Sequence, residues 1–79
     1  MTFSEENYLK TIYHLATISD SEVSTNAIAE MMETKASSVT DMLKKLSEKD
    51  LVHYKKYQGV SLTEKGKLIA KMIVRKHRL

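Results

Sequence analysis

The chain has no cysteine, no proline, no tryptophan and only two glycines among its 79 residues. Without cysteine there is neither a disulfide nor a thiolate metal site, and cysteine usage says nothing about the redox compartment. Lacking proline and with few aromatic residues, the composition favours a mostly helical domain over a β-sandwich or barrel. No run of about 18 apolar residues occurs, so no segment reads as a transmembrane helix. The N-terminus lacks the basic stretch and apolar run of a signal peptide. A soluble cytoplasmic protein is therefore expected. Also missing are a nucleophile paired with a base, a glycine-rich phosphate loop and a metal-ligand pair at i, i+4, so an enzyme is not expected. A chain this short makes one small domain with a modest core.

Charge is what the sequence has, and it is unevenly placed. Residues 1–34 carry six acids (Glu5, Glu6, Asp20, Glu22, Glu30, Glu33) against the single base Lys10, a net of −5. Residues 35–79 carry twelve bases against four acids (Asp41, Glu48, Asp50, Glu64), a net of +8. The whole chain is +3. Such asymmetry points to a face that meets a polyanion, although a solvated basic surface gives the same count.

Ser4 reads as a helix N-cap, with Glu5 and Glu6 in the first turn, where the helix dipole favours negative charge. Tyr8, Leu9, Ile12, Leu15 and Ala16 recur at helical spacing, which predicts a helix over about 5–18. The polar run at 19–22 is a loop. Ser24 is the next cap, with Val23 and Ile28 at the two positions of a hydrophobic staple. A short helix over about 25–32 follows, with Ala27, Ile28, Met31 and Met32 as its buried side. Glu33-Thr34-Lys35 makes a three-residue connection to a helix over about 36–49, whose apolar stripe is Val39, Met42, Leu43 and Leu46. After Asp50 the period changes. Residues 51–62 are rich in β-branched and aromatic side chains around a Gln58-Gly59 turn signal, and predict an antiparallel hairpin. One of the hairpin tyrosines, Tyr54, is expected to pack beneath it. Thr63 caps a last helix over about 64–78, with apolar positions Leu68, Ile69, Met72 and Ile73.

The expected architecture is thus mainly α with a small β-hairpin: a winged helix-turn-helix. Two helices joined by a short turn form the helix-turn-helix unit, and its second helix enters the major groove by its N-terminal end. In the 36–49 helix the apolar stripe leaves Ala36, Ser37, Thr40, Asp41, Lys44 and Lys45 on or near the outer side. The small side chains of Ala36, Ser37 and Ser38 permit close approach to DNA. Ser and Thr suit base edges, and first-turn amides suit phosphate. Lys35, Lys44 and Lys45 suit phosphate neutralisation. The hairpin adds Lys55, Lys56 and Tyr57 as a basic, aromatic wing directed at the flanking backbone or minor groove. The expected partner is double-stranded DNA. Two other readings stay open: a winged-helix regulator that senses a small molecule or partner, and a winged helix used only for protein contacts.

Four strings go beyond a generic winged helix: Glu6-Asn7-Tyr8-Leu9-Lys10-Thr11-Ile12-Tyr13, Ser37-Ser38-Val39-Thr40-Asp41-Met42, Leu62-Thr63-Glu64-Lys65-Gly66-Lys67 and Arg75-Lys76-His77-Arg78-Leu79. Together they resemble the N-terminal domain of the metal-dependent repressors of the diphtheria-toxin-repressor family, over essentially the whole chain. That resemblance implies a homodimer that binds a palindromic operator when loaded with Mn(II) or Fe(II) and represses metal-uptake genes. It implies ligands from the first helix, from the histidine of the last string, and from a later helical dimerisation domain not included in these residues. By position, His77 matches a family ligand. Asn7 matches the first-helix ligand, where the manganese-type proteins place aspartate and the iron-type methionine; its amide oxygen suits a hard cation. Lys10 falls where the manganese type supplies a second carboxylate, and a charged lysine does not ligate. His14 and His53 match no ligand position.

Overall fold

The computed structural model describes residues 2–19, 22–55 and 59–76. Helix α1 (Phe3–Ser19) starts earlier than Ser4 suggests, because the cap is Thr2. The Thr2 hydroxyl accepts from the Glu5 amide at 3.2 Å, and Glu5 Oε1 accepts in return from the Thr2 amide at 3.3 Å and from its hydroxyl at 3.0 Å. This is a reciprocal capping box that satisfies donors at both ends of the first turn. Ser4 lies exposed within that turn. Leu9 and Ile12 are fully buried, with Tyr8 beside them.

Helix α2 (Thr25–Met32) is capped by Ser24, whose hydroxyl oxygen accepts from the Ala27 amide at 3.0 Å. Val23 and Ile28, the two staple positions, are both buried in the core. Met31 is not: it is 49% exposed. Ile28 and Met32 form the inward line one turn apart, and Met31 falls beside it, against a shallow depression lined by Thr11, His14 and Val74. The helix ends on Glu33 in the left-handed region, φ 53°. The Thr34 amide donates to the Ala29 carbonyl and the Glu33 amide to that of Glu30, the hydrogen-bond pair of a Schellman motif.

Helix α3 (Ala36–Glu48) buries Val39, Leu43 and Leu46. It closes in the same way: Asp50 sits at φ 62°, its amide donates to the Ser47 carbonyl, and the Leu51 amide donates to that of Leu46. Strands β1 (Val52–Lys55) and β2 (Gly59–Leu62) pair antiparallel, Val52 opposite Leu62 and Lys55 opposite Gly59. Val52, Val60 and Leu62 face the core and Tyr54 packs against it, while His53 and Lys55 face out. The α1–α2 connection adds a further backbone pairing: Val23 and Val60 exchange amide-to-carbonyl bonds of 2.9 and 2.8 Å. Gly59, at φ +95°, lies where a Cβ would stand 2.9 Å from the Val23 carbonyl oxygen, so this crossing needs glycine.

Helix α4 (Glu64–Lys76) packs on α1. Its apolar positions divide. Ala70 and Ile73 are buried, whereas Leu68 and Met72 are 62% and 68% exposed. The four helices and the hairpin form a winged helix-turn-helix, as the pattern of elements predicts.

Candidate nucleic-acid interface

The helix-turn-helix is α2, the Glu33–Lys35 turn and α3. Because α3 buries Val39, Leu43 and Leu46, helical periodicity sends the stripe Ser37, Asp41, Lys44 and Glu48 directly outward, and all four are exposed. Thr40 and Lys45 flank that stripe. Glu48 belongs to it although the sequence reading omits it; counting i, i+4, i+7, i+11 from Ser37 finds it.

The N-terminal end of α3 is open. Lys35 holds the N-cap position in extended geometry with no side-chain cap bond. The Ser38 and Val39 amides return to the Lys35 carbonyl at 3.1 and 3.2 Å. Among the described residues the Ala36 and Ser37 amides find no acceptor. Lys35, Ala36, Ser37 and Ser38 are all exposed. A helix start with free amides, small side chains and an adjacent lysine is a ready phosphate site. Thr40 is more constrained than its residue type implies. Its hydroxyl donates to the Ala36 carbonyl at 3.1 Å, which leaves an acceptor lone pair and a methyl group for any ligand.

The opposite end of α3 is pinned. Lys49 Nζ donates to Glu5 Oε2 across 44 residues of sequence. Glu5 is buried and Lys49 half-exposed. The Lys49 bond holds the Glu5 carboxyl below its ordinary pKa of 4.5, against the opposing effect of burial and with help from Thr2. Lys49 is therefore committed internally. The sequence offered a signal for half of this pair, the Thr-x-x-Glu box at Thr2 and Glu5.

On the wing, Lys55 is exposed on the outer face of β1. Lys56 and Tyr57 lie outside the described residues. Of the twelve bases in the second half of the chain, five (Lys65, Lys67, Lys71, Arg75, Lys76) lie exposed on α4. The positive charge is thus spread beyond α3 and the wing.

The expected metal donors are not brought together. Asn7 is half-buried on α1, with the exposed Lys10 one turn along. His77 lies outside the described residues. Among the described residues no three His, Cys, Asp or Glu side chains group closely enough to hold a metal ion. Nor is any described helix long and apolar enough to cross a membrane.

Comparison with known proteins agrees with this geometry. Residues 1–60 match a family model described as the iron dependent repressor, N-terminal DNA binding domain. The chain is 40% identical over 78 residues to an HTH-type transcriptional regulator of Methanocaldococcus jannaschii, covering 99% of this chain and 62% of that protein. It is 41% identical over 78 residues to the HTH-type transcriptional regulator MntR of Oceanobacillus iheyensis, covering 99% of this chain and 52% of that one. The manganese regulator SloR superposes with a TM-score of 0.77 at 42% identity, over 99% of this chain and 36% of that chain. The chain thus spans 62% and 52% of the length of the two transcriptional regulators and 36% of SloR.

Proposed function

We propose, from the premise that this chain belongs to the iron-dependent repressor family as its N-terminal DNA-binding domain, that α3 enters the major groove of double-stranded DNA with Ser37 and Asp41 at the bases. Lys35 and the open first turn of α3 take one phosphate, and Lys44 and Lys45 take others. Ala36 and Ser38 let the backbone come close, and Thr40 offers its methyl and lone pair beside them. Lys55, Lys56 and Tyr57 of the wing reach the flanking backbone. The observation that carries this reading is the exposed, uncapped start of α3 with the exposed lysines Lys35, Lys44 and Lys45 around it.

For the whole protein the reading is a cytoplasmic, homodimeric repressor that binds a palindromic operator in response to Mn(II) or Fe(II). Membership of the family and the name of the manganese regulator SloR support it. Asn7 and His77 are this chain's proposed contributions to the metal site. The described residues do not amount to a site by themselves, since Asn7 supplies a single neutral oxygen. The remaining donors of such a site would come from outside the described residues.

The test is a titration of the full-length protein on a palindromic duplex across salt concentrations, with and without Mn(II) or Fe(II). A steep salt slope that depends on metal is expected. Lys44→Ala and Lys45→Ala should each lower the slope by about 1 while weakening all sequences alike. Failure to bind any duplex refutes the DNA reading, and binding indifferent to metal refutes the metal response.

A further inference from the structure

The recognition stripe of α3 contains an acid where a DNA-binding helix is expected to be basic. Asp41 sits in its second turn, between Ser37 and Lys44, exposed and opposite the buried Val39 and Leu43. Lys44 and Lys45 lie three and four residues on, yet among the described residues Asp41 makes no ion pair and no side-chain hydrogen bond with either; the one pair present is Lys49 with Glu5. Among the described residues the carboxylate is therefore unengaged, on the outward side of α3.

DNA carries one phosphate charge for about every 1.7 Å of duplex. A carboxylate carried into that field repels the backbone and loses its water. It is tolerated only if a donor on the DNA replaces the water. The major groove has two kinds of donor, the cytosine N4 amine and the adenine N6 amine. An ionised carboxylate has acceptors alone. At adenine the amine adjoins N7, a further acceptor, which opposes the second carboxylate oxygen. At cytosine the neighbour is the C5–H edge, which does not. Resting on the placement of α3 in the major groove, we infer that Asp41 is a specificity-determining residue that accepts a hydrogen bond from cytosine N4. It selects a C·G pair at one position of each half-site.

The same chemistry forecasts a switch. Asparagine keeps the shape of aspartate but adds an NH₂ donor, and it pairs with adenine N6 and N7. Asp41→Asn should move the preference at that position from cytosine to adenine. Asp41→Ala should abolish preference there and nowhere else. Because the side chain is exposed, both variants should keep the helical circular dichroism of the parent.

The experiment is selection of duplexes randomised at the half-sites by the full-length metal-loaded protein, followed by sequencing and by titration of single-base operator variants. The parent should favour cytosine at one half-site position on the order of ten-fold or more. Asp41→Asn should favour adenine there, and Asp41→Ala neither. If Asp41→Ala enriches the same sequences as the parent, or tightens every duplex equally, Asp41 faces phosphate and the inference is wrong. Should the parent enrich no duplex at all, it is the underlying DNA reading that fails instead. Glu64→Gln, an exposed acid on α4 outside the α3 stripe, is the comparison, and should leave the base preference at the Asp41 position unchanged.

Discussion

Replacing Gly66 with alanine should unfold this domain at a lower temperature, although helix propensity alone predicts the reverse. Gly66 occupies the first turn of α4, and an exposed helical Gly→Ala change ordinarily stabilises by about 0.5–1 kcal/mol. Here a Cβ would stand 1.9 Å from the Leu51 carbonyl oxygen and 2.9 Å from the Leu51 carbonyl carbon. Both are backbone, so neither can swing aside. Relief requires α4 to withdraw from the start of the wing by roughly an ångström or more. The Leu51 carbonyl also accepts from the Thr63 amide at 3.1 Å, the Thr63 hydroxyl donates to the Asp50 carbonyl at 2.7 Å, and the Gly66 amide donates to the Thr63 hydroxyl at 2.9 Å. Withdrawal strains this network and loosens Ala70 and Ile73 in the core. Overpacking of this kind costs about 1–3 kcal/mol, and one weakened hydrogen bond adds about 1. A domain of this size holds roughly 4–12 kcal/mol in all. Less the propensity gain, the net cost is about 1–3.5 kcal/mol, and at about 4–8 °C per kcal/mol the melting temperature should fall by roughly 4–28 °C. Thermal and urea melts followed by circular dichroism measure it, with Lys67→Ala, exposed one residue on, as the neutral comparison. A Gly66→Ala protein that melts with the parent or above it would refute the close approach of α4 to Leu51.

Glu33 and Asp50 both hold left-handed backbone without being glycine. Glu33→Gly should raise stability by about 0.5–1 kcal/mol in urea melts, and Asp50→Gly by less, because aspartate tolerates that region better than glutamate. Glu5→Gln keeps a side chain able to close the capping box but removes the charge opposite Lys49. The folded carboxyl titrates below 4.5, so its contribution is present in full above that value and is lost as pH falls through the lower folded value. The variant should melt below the parent at pH 7, by no more than about 1 kcal/mol given the half-exposed lysine. The gap should close as pH falls below 4.5 and through the lowered folded value, and a gap that persists in acid would show that the ion pair is not its source.

What the sequence disclosed was decided within a few residues. The Ser24 cap, the Val23–Ile28 staple and the Val39–Leu43–Leu46 stripe each depend on neighbours three to seven positions away, and the structure reproduces them. Where it departs, the deciding partner is remote. Gly66 reads as a tolerated first-turn glycine until Leu51, fifteen residues earlier, is placed against it. Lys49 reads as one more surface base until Glu5 is found at its ammonium. Leu68 and Met72 continue an apolar period but stand exposed, because α4 turns Ala70 and Ile73 to α1 instead. The Thr2 cap is the exception, being local and marked by its Thr-x-x-Glu spacing. For the candidate interface, residue type and period identify the outward stripe, but the bond from the Thr40 hydroxyl to the Ala36 carbonyl depends on a rotamer that residue type does not specify.

The remote contacts share a location, and that location bears on function. Lys49 is tied to α1, the Asp50 carbonyl to the Thr63 hydroxyl, and the Leu51 carbonyl to the Thr63 amide. All three fix the C-terminal end of α3, from which the wing and α4 depart. At the other end no side chain caps the helix, and the Ala36 and Ser37 amides have no acceptor among the described residues. One end of α3 is thus held by three bonds, one to Glu5 and two to Thr63, while the end proposed to meet DNA keeps its donors unspent among the described residues. A rigid mount at one end lets the free amides and small side chains at the other reach a phosphate without first breaking a bond inside the protein. Binding then orders little that was not already ordered. Loosening the mount, as Gly66→Ala or Glu5→Gln would, should therefore weaken DNA binding without touching a single residue of the reading stripe.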